Sequence, residues 1–340
     1  MSTTQVEKAT VLEARNLTKY FDIGSLFRPA QVHALEEVSV SLKKSHVVAL
    51  VGESGSGKST TARLIARLMP PTSGEIIFGG KDVLKSEPRS ASMHYREEVQ
   101  MVFQDPFGSL NPAHTIWHHL ERPLRLHNKA RSRAETEDRI NELLASVGLN
   151  PPKEVSRKFP HELSGGQRQR VAFARALAVE PSVVLADEPI SMLDVSIRMG
   201  ILNMAEQLKE ERGIAFLYIT HDIASARYIG DEITVMYAGR MVEGAASEEL
   251  VSNPAHPYTK LLFSAVPNPS AKRKDRQQVT RSEPPRLVNP PPGCPFAPRC
   301  PFVMDTCRKV MPGVTHLSEN HWVRCHLYPE TGVVGEEARV

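Results

Sequence analysis

The sequence has no apolar run near the roughly 20 residues that a membrane-crossing helix requires; runs such as Val47-Val48-Ala49-Leu50-Val51 and Val183-Val184-Leu185-Ala186 are far shorter. The chain is therefore not expected to form a channel by itself. Its first eight residues, from Met1 to Lys8, lack the basic and then apolar layout of a secretory signal, so a cytosolic, reducing location is expected. Cysteine is absent until Cys294, and all four cysteines fall between there and Cys325. In a reducing compartment such crowding points to metal rather than to disulfides. Charge of one sign is also missing: 42 Lys and Arg against 39 Asp and Glu leave +3, too little to imply a nucleic-acid partner. No internal repeat is visible at a fixed period.

What is present suits a folded protein. With 340 residues, 41% hydrophobic and 24% charged, the chain is long enough for one main domain and a smaller appendage. Residues 45–66 read as an apolar strand, a glycine-rich turn and a helix beginning near Lys58 and carrying Leu64, Ile65 and Leu68. A second apolar strand over 183–186 ends at Asp187-Glu188, and a third over 214–219 ends at Thr220-His221-Asp222. Such alternation predicts a parallel sheet covered on both faces, with ligands held beyond the carboxyl ends of its strands. Helical spacing of Ile140, Leu143, Leu144 and Val147 within 131–147 predicts an inserted helical subdomain over 106–165. Proline becomes dense from Pro267 and a basic run stands at Lys272-Arg273-Lys274, which predicts a solvated linker into a tail module.

Three groups of residues carry chemistry. Gly52-Glu53-Ser54-Gly55-Ser56-Gly57-Lys58-Ser59-Thr60 fits the phosphate loop G-x-x-x-x-G-K-[ST] between a strand and a helix. Its glycines let backbone amides turn toward phosphates at a helix N-terminus; Lys58 would reach the β- and γ-phosphates of ATP and the Ser59 hydroxyl would ligate Mg²⁺. Asp187 is expected to hold the Mg²⁺ shell and Glu188 to polarise the attacking water, although an Asp-Glu-Pro turn alone is commonly just a solvated acidic turn. Leu163-Ser164-Gly165-Gly166-Gln167 places a serine and two glycines ahead of a helix, which alone would suit an ordinary N-cap as well as a second anion-binding helix end.

The order of these motifs resembles the ATP-binding subunits of ABC transporters, whose signature is Leu-Ser-Gly-Gly-Gln between a phosphate loop and an Asp-Glu pair. The resemblance implies an α/β fold: a P-loop NTPase core over 1–105 and 166–245, a helical signature subdomain over 106–165, and an irregular Cys₄ extension over 246–340. It implies head-to-tail dimers in which Ser164, Gly165, Gly166 and Gln167 close over ATP held by the phosphate loop of the other subunit. It also makes Gln104 the glutamine that senses Mg²⁺ and water, His221 the switch histidine at the γ-phosphate, Asp194 part of the loop joining two sites, and Tyr20 the aromatic that stacks on adenine. Phe21 rivals Tyr20, and an aromatic there could equally be core. Ser45, where the family commonly has glycine, and Ile190 and Met192 depart from the usual pattern without removing a catalytic group.

Within the superfamily the chain resembles the oligopeptide, dipeptide and nickel permease branch. The residues that carry this are Phe103-Gln104-Asp105-Pro106, Asp194-Val195-Ser196, His256-Pro257-Tyr258-Thr259 and Gly293-Cys294-Pro295-Phe296 with Arg299-Cys300-Pro301. The implied partners are two transmembrane permease subunits, a second ATPase subunit (identical or a paralogue) and an extracytoplasmic solute-binding protein, with this chain peripheral on the cytoplasmic face of the inner membrane. Peptides lead as the solute, with oligosaccharides and nickel as alternatives. Cys294, Cys300, Cys307 and Cys325 suit an iron–sulfur cluster or zinc; no pair has the C-x₂₋₄-C spacing usual for structural zinc, and proline follows two of them, as in ferredoxins. The resemblance favours [4Fe–4S], with zinc next and unligated thiols last.

Two other functions remain open from sequence. A soluble ABC-type ATPase acting on nucleic acid or ribosomes typically carries two cassettes or a long coiled-coil insertion, whereas this chain has one cassette and a short helical insert. A P-loop kinase or a nucleotide-holding module without turnover would not need Gln104, Glu188 and His221 together.

Overall fold

The structure is a computed structural model that describes residues 8–25, 28–264 and 288–328. The predicted linker and its basic run lie outside those residues. The described chain divides into two compact units.

The first unit comprises residues up to Leu12, Leu42–Val47 and Val83–Ile219. Its sheet holds the strands Val99–Val102, Val183–Asp187 and Ala215–Thr220 in parallel, with Val183 paired to Val99 on one side and to Ala215 on the other. Every residue of Val183–Asp187 and Ala215–Thr220 is buried. Continuous apolar strands of this kind need helices on both faces, and the sequence supplies them. The helix Arg133–Ser146 buries Ile140, Leu143 and Leu144, and Ser132 caps it by accepting from the Glu135 amide at 3.1 Å. Ile116–Leu126 and Pro152–Arg157 flank it in the sequence. The longer helix Gly165–Leu177 buries Val171, Ala172, Phe173 and Ala174, and Val195–Arg212 follows the acidic strand.

The second unit comprises Glu13–Ser41, Val48–Asp82 and the described chain from Thr220 on. One sheet orders Arg28–Lys43, Thr10–Ser25, Ser73–Phe78 and Lys81–Asp82 side by side. In the other, Val47–Val51 runs parallel to Glu232–Tyr237, which pairs antiparallel with Arg240–Ala246. The helix Lys58–Ile65 follows the first of these strands. It stops short of Leu68, which the helical spacing had included and which is exposed instead.

The tail differs from a free appendage. Its strand His321–Val323 pairs antiparallel with Arg240–Ala246, through Val323 to Glu243 and Trp322 to Gly244, and Thr315–Ser318 adds outside it. Nothing in the sequence marked this, because the tail strands are only three and four residues long. Among the described residues no helix is long and apolar enough to cross a membrane.

Candidate functional site

The phosphate loop lies between Val47–Val51 and Lys58–Ile65, where the sequence placed it. Gly57 is the N-cap of that helix at φ 107°, a left-handed conformation that an L-residue resists. A Cβ there would also stand 2.6 Å from Leu35 Cδ2 and 2.8 Å from the Ala34 carbonyl oxygen. A glycine cap gives the helix no side-chain acceptor, the arrangement of an anion-binding helix start. Lys58 is buried, and its ammonium donates to the carbonyls of Gly52 at 2.8 Å and Glu53 at 2.9 Å. Ser54 and Gly55 are exposed, Ser56 is buried, and Ser59 and Thr60 are partly exposed. The Ser56 carbonyl accepts from the Gly239 amide at 2.9 Å, which anchors the middle of the loop.

Two contacts on Glu53 had no role in the sequence reading. Its amide donates to the Tyr258 hydroxyl at 2.9 Å, and its carboxylate receives both arms of Arg299, at 2.9 and 3.0 Å. Both partners sit in stretches already singled out as branch markers, but sequence gives no hint that they converge on one residue.

Still in the second unit, the Tyr20 hydroxyl donates to Glu36, and its ring centroid lies 4.1 Å from that of His33. The bond to Glu36, with burial second, pushes the phenol up to about 12. Phe21 is exposed beneath the Lys19 ammonium, 5.1 Å from the ring centre. His221 is exposed just before Asp222, whose carboxylate caps Ile223–Ile229 by accepting from the Ala224 amide at 3.0 Å.

In the first unit, Asp187 is buried at the end of its strand and Glu188 follows at φ 46°. Such a conformation is costly for a non-glycine residue and is found where surrounding structure imposes it. Here the Glu188 amide donates to the Ile219 carbonyl at 2.9 Å, while its own carbonyl accepts from the Ser191 hydroxyl at 3.0 Å. The side chain is thereby aimed at Gln104, whose Nε2 donates to Glu188 Oε2 at 3.0 Å. Two residues 84 positions apart, selected from sequence for one reaction, meet.

The signature is a helix cap. Ser164 Oγ accepts from the Gln167 amide at 3.3 Å and Gln167 Oε1 accepts from the Ser164 amide at 3.0 Å, a reciprocal capping box on Gly165–Leu177. Thus the simpler role of the Ser-Gly-Gly turn is present in the structure. Gly166 has a steric reason besides: a Cβ would stand 2.5 Å from Ile197 Cγ2, in the helix that Asp194 begins. Gly165 has ordinary room, with Leu193 at 3.6 Å.

The four cysteines, all free thiols, line one recess in the second unit together with His256, Phe296, Phe302, Pro312 and Leu327. The Cys294 amide donates to the Cys307 carbonyl at 2.7 Å. Burial, then the neighbouring thiols, push Cys294 up to about 11, and burial raises Cys300 and Cys325 as well. Among the described residues no group of three or more His, Cys, Asp or Glu is placed to hold a metal ion.

Comparison with known proteins decides the family. The ABC transporter profile matches residues 35–191, and that of the oligopeptide/dipeptide transporter C-terminal region matches 242–307. An oligopeptide transport ATP-binding protein of Bacillus subtilis is 43% identical over 330 residues, 96% of this chain and 99% of its own. The chain belongs to the oligopeptide/dipeptide branch of the ABC transporter ATP-binding proteins. A dipeptide transport ATP-binding protein of Haemophilus influenzae is 40% identical over 94% of this chain and 97% of its own. Among solved structures, a dimeric ATP-binding cassette in a post-hydrolysis state with ADP and phosphate is 31% identical with a TM-score of 0.61, covering 70% of this chain and 99% of that one. A part of an ABC transporter complex from Clostridium perfringens matches at 28% identity and TM-score 0.61, over 73% of this chain and 92% of its own. As an ABC ATPase, this subunit hydrolyses ATP.

Proposed function

We propose that this ABC ATPase powers import of oligopeptides or dipeptides through two transmembrane permease subunits, docked on the cytoplasmic face of the inner membrane. The match of residues 242–307 to the oligopeptide/dipeptide transporter C-terminal region carries this reading, and relatives named for oligopeptide and dipeptide transport support it. A solute-binding protein outside the membrane would choose the peptide. Two ATPase subunits pair, as the dimeric cassette among the structural relatives does.

In this reading residues 52–60 hold the triphosphate, with Lys58 at the β- and γ-phosphates, and Tyr20 stacks on adenine. Ser59, Gln104 and Asp187 offer hydroxyl, carboxamide and carboxylate oxygens, a donor set that suits Mg²⁺. The bound ion would offset charge on the β- and γ-phosphates. Glu188 accepts a proton from water, the water oxygen bonds to the γ-phosphorus, and the bond to the β,γ-bridging oxygen breaks, leaving ADP and phosphate. Gln104 orients Glu188, and His221 reaches the γ-phosphate. Ser164, Gly165, Gly166 and Gln167 act on the ATP of the facing subunit, with Asp194 between the two sites.

Cys294, Cys300, Cys307 and Cys325 would supply the thiolates of an iron–sulfur cluster, with zinc as the alternative, although as they stand the described side chains are not grouped to hold a metal ion. The deciding experiment for the transport reading is co-purification from membranes: two permease proteins should accompany the tagged chain, and peptide substrate should stimulate its ATPase activity in the assembled complex. Recovery with ribosomes or DNA, and without permeases, would overturn it.

A further inference from the structure

The tail and the phosphate loop are joined at Glu53 by two contacts of different kinds. One is to the main chain, from the Glu53 amide to the fully buried Tyr258 hydroxyl. The other is a two-armed ion pair from Arg299 to the Glu53 side chain, in which the Arg299 side chain is only 8% exposed. Arg299 is therefore a well-held partner, in contrast to the solvent-exposed pairs that contribute little. Its charge is further favoured first by Glu53 and then by Tyr237, whose hydroxyl accepts at 3.4 Å from Arg299 Nη1, one of the two nitrogens that bond Glu53.

Both partners are joined to the thiol-lined recess by hydrogen bonds and ring contacts. Arg299 directly precedes Cys300, within turns in which the amides of Ala297, Arg299 and Cys300 donate to the carbonyls of Cys294, Phe296 and Ala297. Phe296, in the same turns, meets Tyr258 at 5.5 Å and Tyr237 at 5.3 Å between ring centres. The Tyr258 amide donates in turn to His256 Nδ1 at 3.0 Å, and His256 lines the recess with the cysteines. On its other side Glu53 offers the carbonyl that receives the Lys58 ammonium. A continuous path of short contacts thus runs from Cys300 through Arg299 and Glu53 to the lysine that grips phosphate.

We propose that Arg299 and Tyr258 are positioning residues for nucleotide binding, holding Glu53 so that the thiol-lined turn and the phosphate loop move as one piece. The state of the four thiols then sets how tightly the loop binds ATP. By thermodynamic reciprocity, bound ATP must equally restrain the thiols. This inference rests on nucleotide binding at residues 52–60, which the unaltered protein tests separately.

The test uses the full-length protein and a fluorescent ATP analogue with Mg²⁺. Arg299→Ala should weaken binding about tenfold, an ordinary size for coupling between two sites. Arg299→Lys, which keeps the charge but not the fork, should fall between the two. Glu53→Ala should weaken binding similarly, and the double variant should be no worse than either single one, since the two act as one unit. Tyr258→Phe keeps the ring and removes only the acceptor for the Glu53 amide, so a smaller loss is expected even if Arg299→Ala proves unstable. The second readout is the rate at which the four thiols, stripped of any bound metal by a chelator that is removed before the assay, react with a disulfide reagent. Saturating MgATP should slow it severalfold in the unaltered protein and leave it unchanged in Arg299→Ala. Wild-type affinity in both Arg299→Ala and Tyr258→Phe, additive losses in the double variant, or a thiol rate indifferent to MgATP would each overturn the proposal. Failure of the unaltered protein to bind the analogue would instead overturn the nucleotide-site reading.

Discussion

Gln104 Nε2 donates to Glu188 Oε2 at 3.0 Å, and Glu188 is held for that contact by a left-handed backbone. The carboxamide restricts where the carboxylate points, which would suit the base role proposed for Glu188. Glu188→Gln preserves the size of the side chain and removes the proposed base. Turnover should fall at least about a hundredfold, within the range that general-base catalysis supplies, while ATP affinity is kept. Gln104→Ala should cost less, because Glu188 loses only its orientation. Rapid-quench single-turnover assays measure both, and undiminished hydrolysis in Glu188→Gln would remove Glu188 from its role.

Gly166 is closed against Ile197, and this makes the signature turn sensitive to a single methyl group. Gly166→Ala places a Cβ 2.5 Å from Ile197 Cγ2, and a β-branched side chain has few rotamers with which to give way. Melting temperature should drop by several degrees, reflecting a loss of about 1–3 kcal/mol from overpacking. Gly165→Ala, with ordinary room, should cost far less. Adding Ile197→Ala to Gly166→Ala should recover part of the loss. If the double variant melts no higher than Gly166→Ala alone, Ile197 is not the obstacle.

Much of this was legible in the sequence because a short range of residues sufficed. The phosphate loop, the apolar strand ending in Asp187 and the Ser-Gly-Gly helix start are each contiguous, and each stands where its pattern places it. Ser45, noted as a departure from a common glycine, adopts φ 51°, the conformation in which glycine would be at ease. The bond between Gln104 and Glu188 came within reach only through the family resemblance, since nothing local pairs residues 84 apart. Arg299 and Glu53 are separated by 246 residues, and their charges resemble dozens of others, so no periodicity or spacing could join them. The tail's place beside Arg240–Ala246 was hidden for a related reason: three residues of strand carry too little alternation to register.

The cysteine recess makes a compositional prediction. If all four thiols serve one cluster, protein purified without oxygen should carry about four iron and four acid-labile sulfide per chain and absorb in the visible range. Cys307→Ser, at the most enclosed of the four, should lose most of both, with the lost iron measurable by plasma emission spectrometry. One zinc per chain, without sulfide, would assign the recess to zinc instead.

The clasp around Glu243 should make the tail's attachment sensitive to pH. Glu243 is fully buried; it accepts from the amides of Ala255 at 2.6 Å and His256 at 2.9 Å, and from His321 at 2.8 Å. His321 also faces Glu249 at 3.3 Å. The Glu243 bond, against opposing burial, raises the His321 imidazole above its ordinary 6.5. The folded chain therefore holds this proton more tightly than the unfolded chain, so the contribution is complete below about 6.5 and fades as pH rises through the raised value. His256 works in a different window: burial pushes it down to about 4, so it stays neutral above 6.5 and leaves this range undisturbed. Thiols such as Cys294, raised by burial, weaken the fold at alkaline pH, but equally in both proteins compared. His321→Gln should thus cost about 1–3 kcal/mol at pH 6.5, typical of a hydrogen bond to a charged group, and progressively less toward pH 9. Thermal melts of both proteins across that range measure the difference, and a gap that stays constant would mean that His321 bonds to Glu243 without its extra proton.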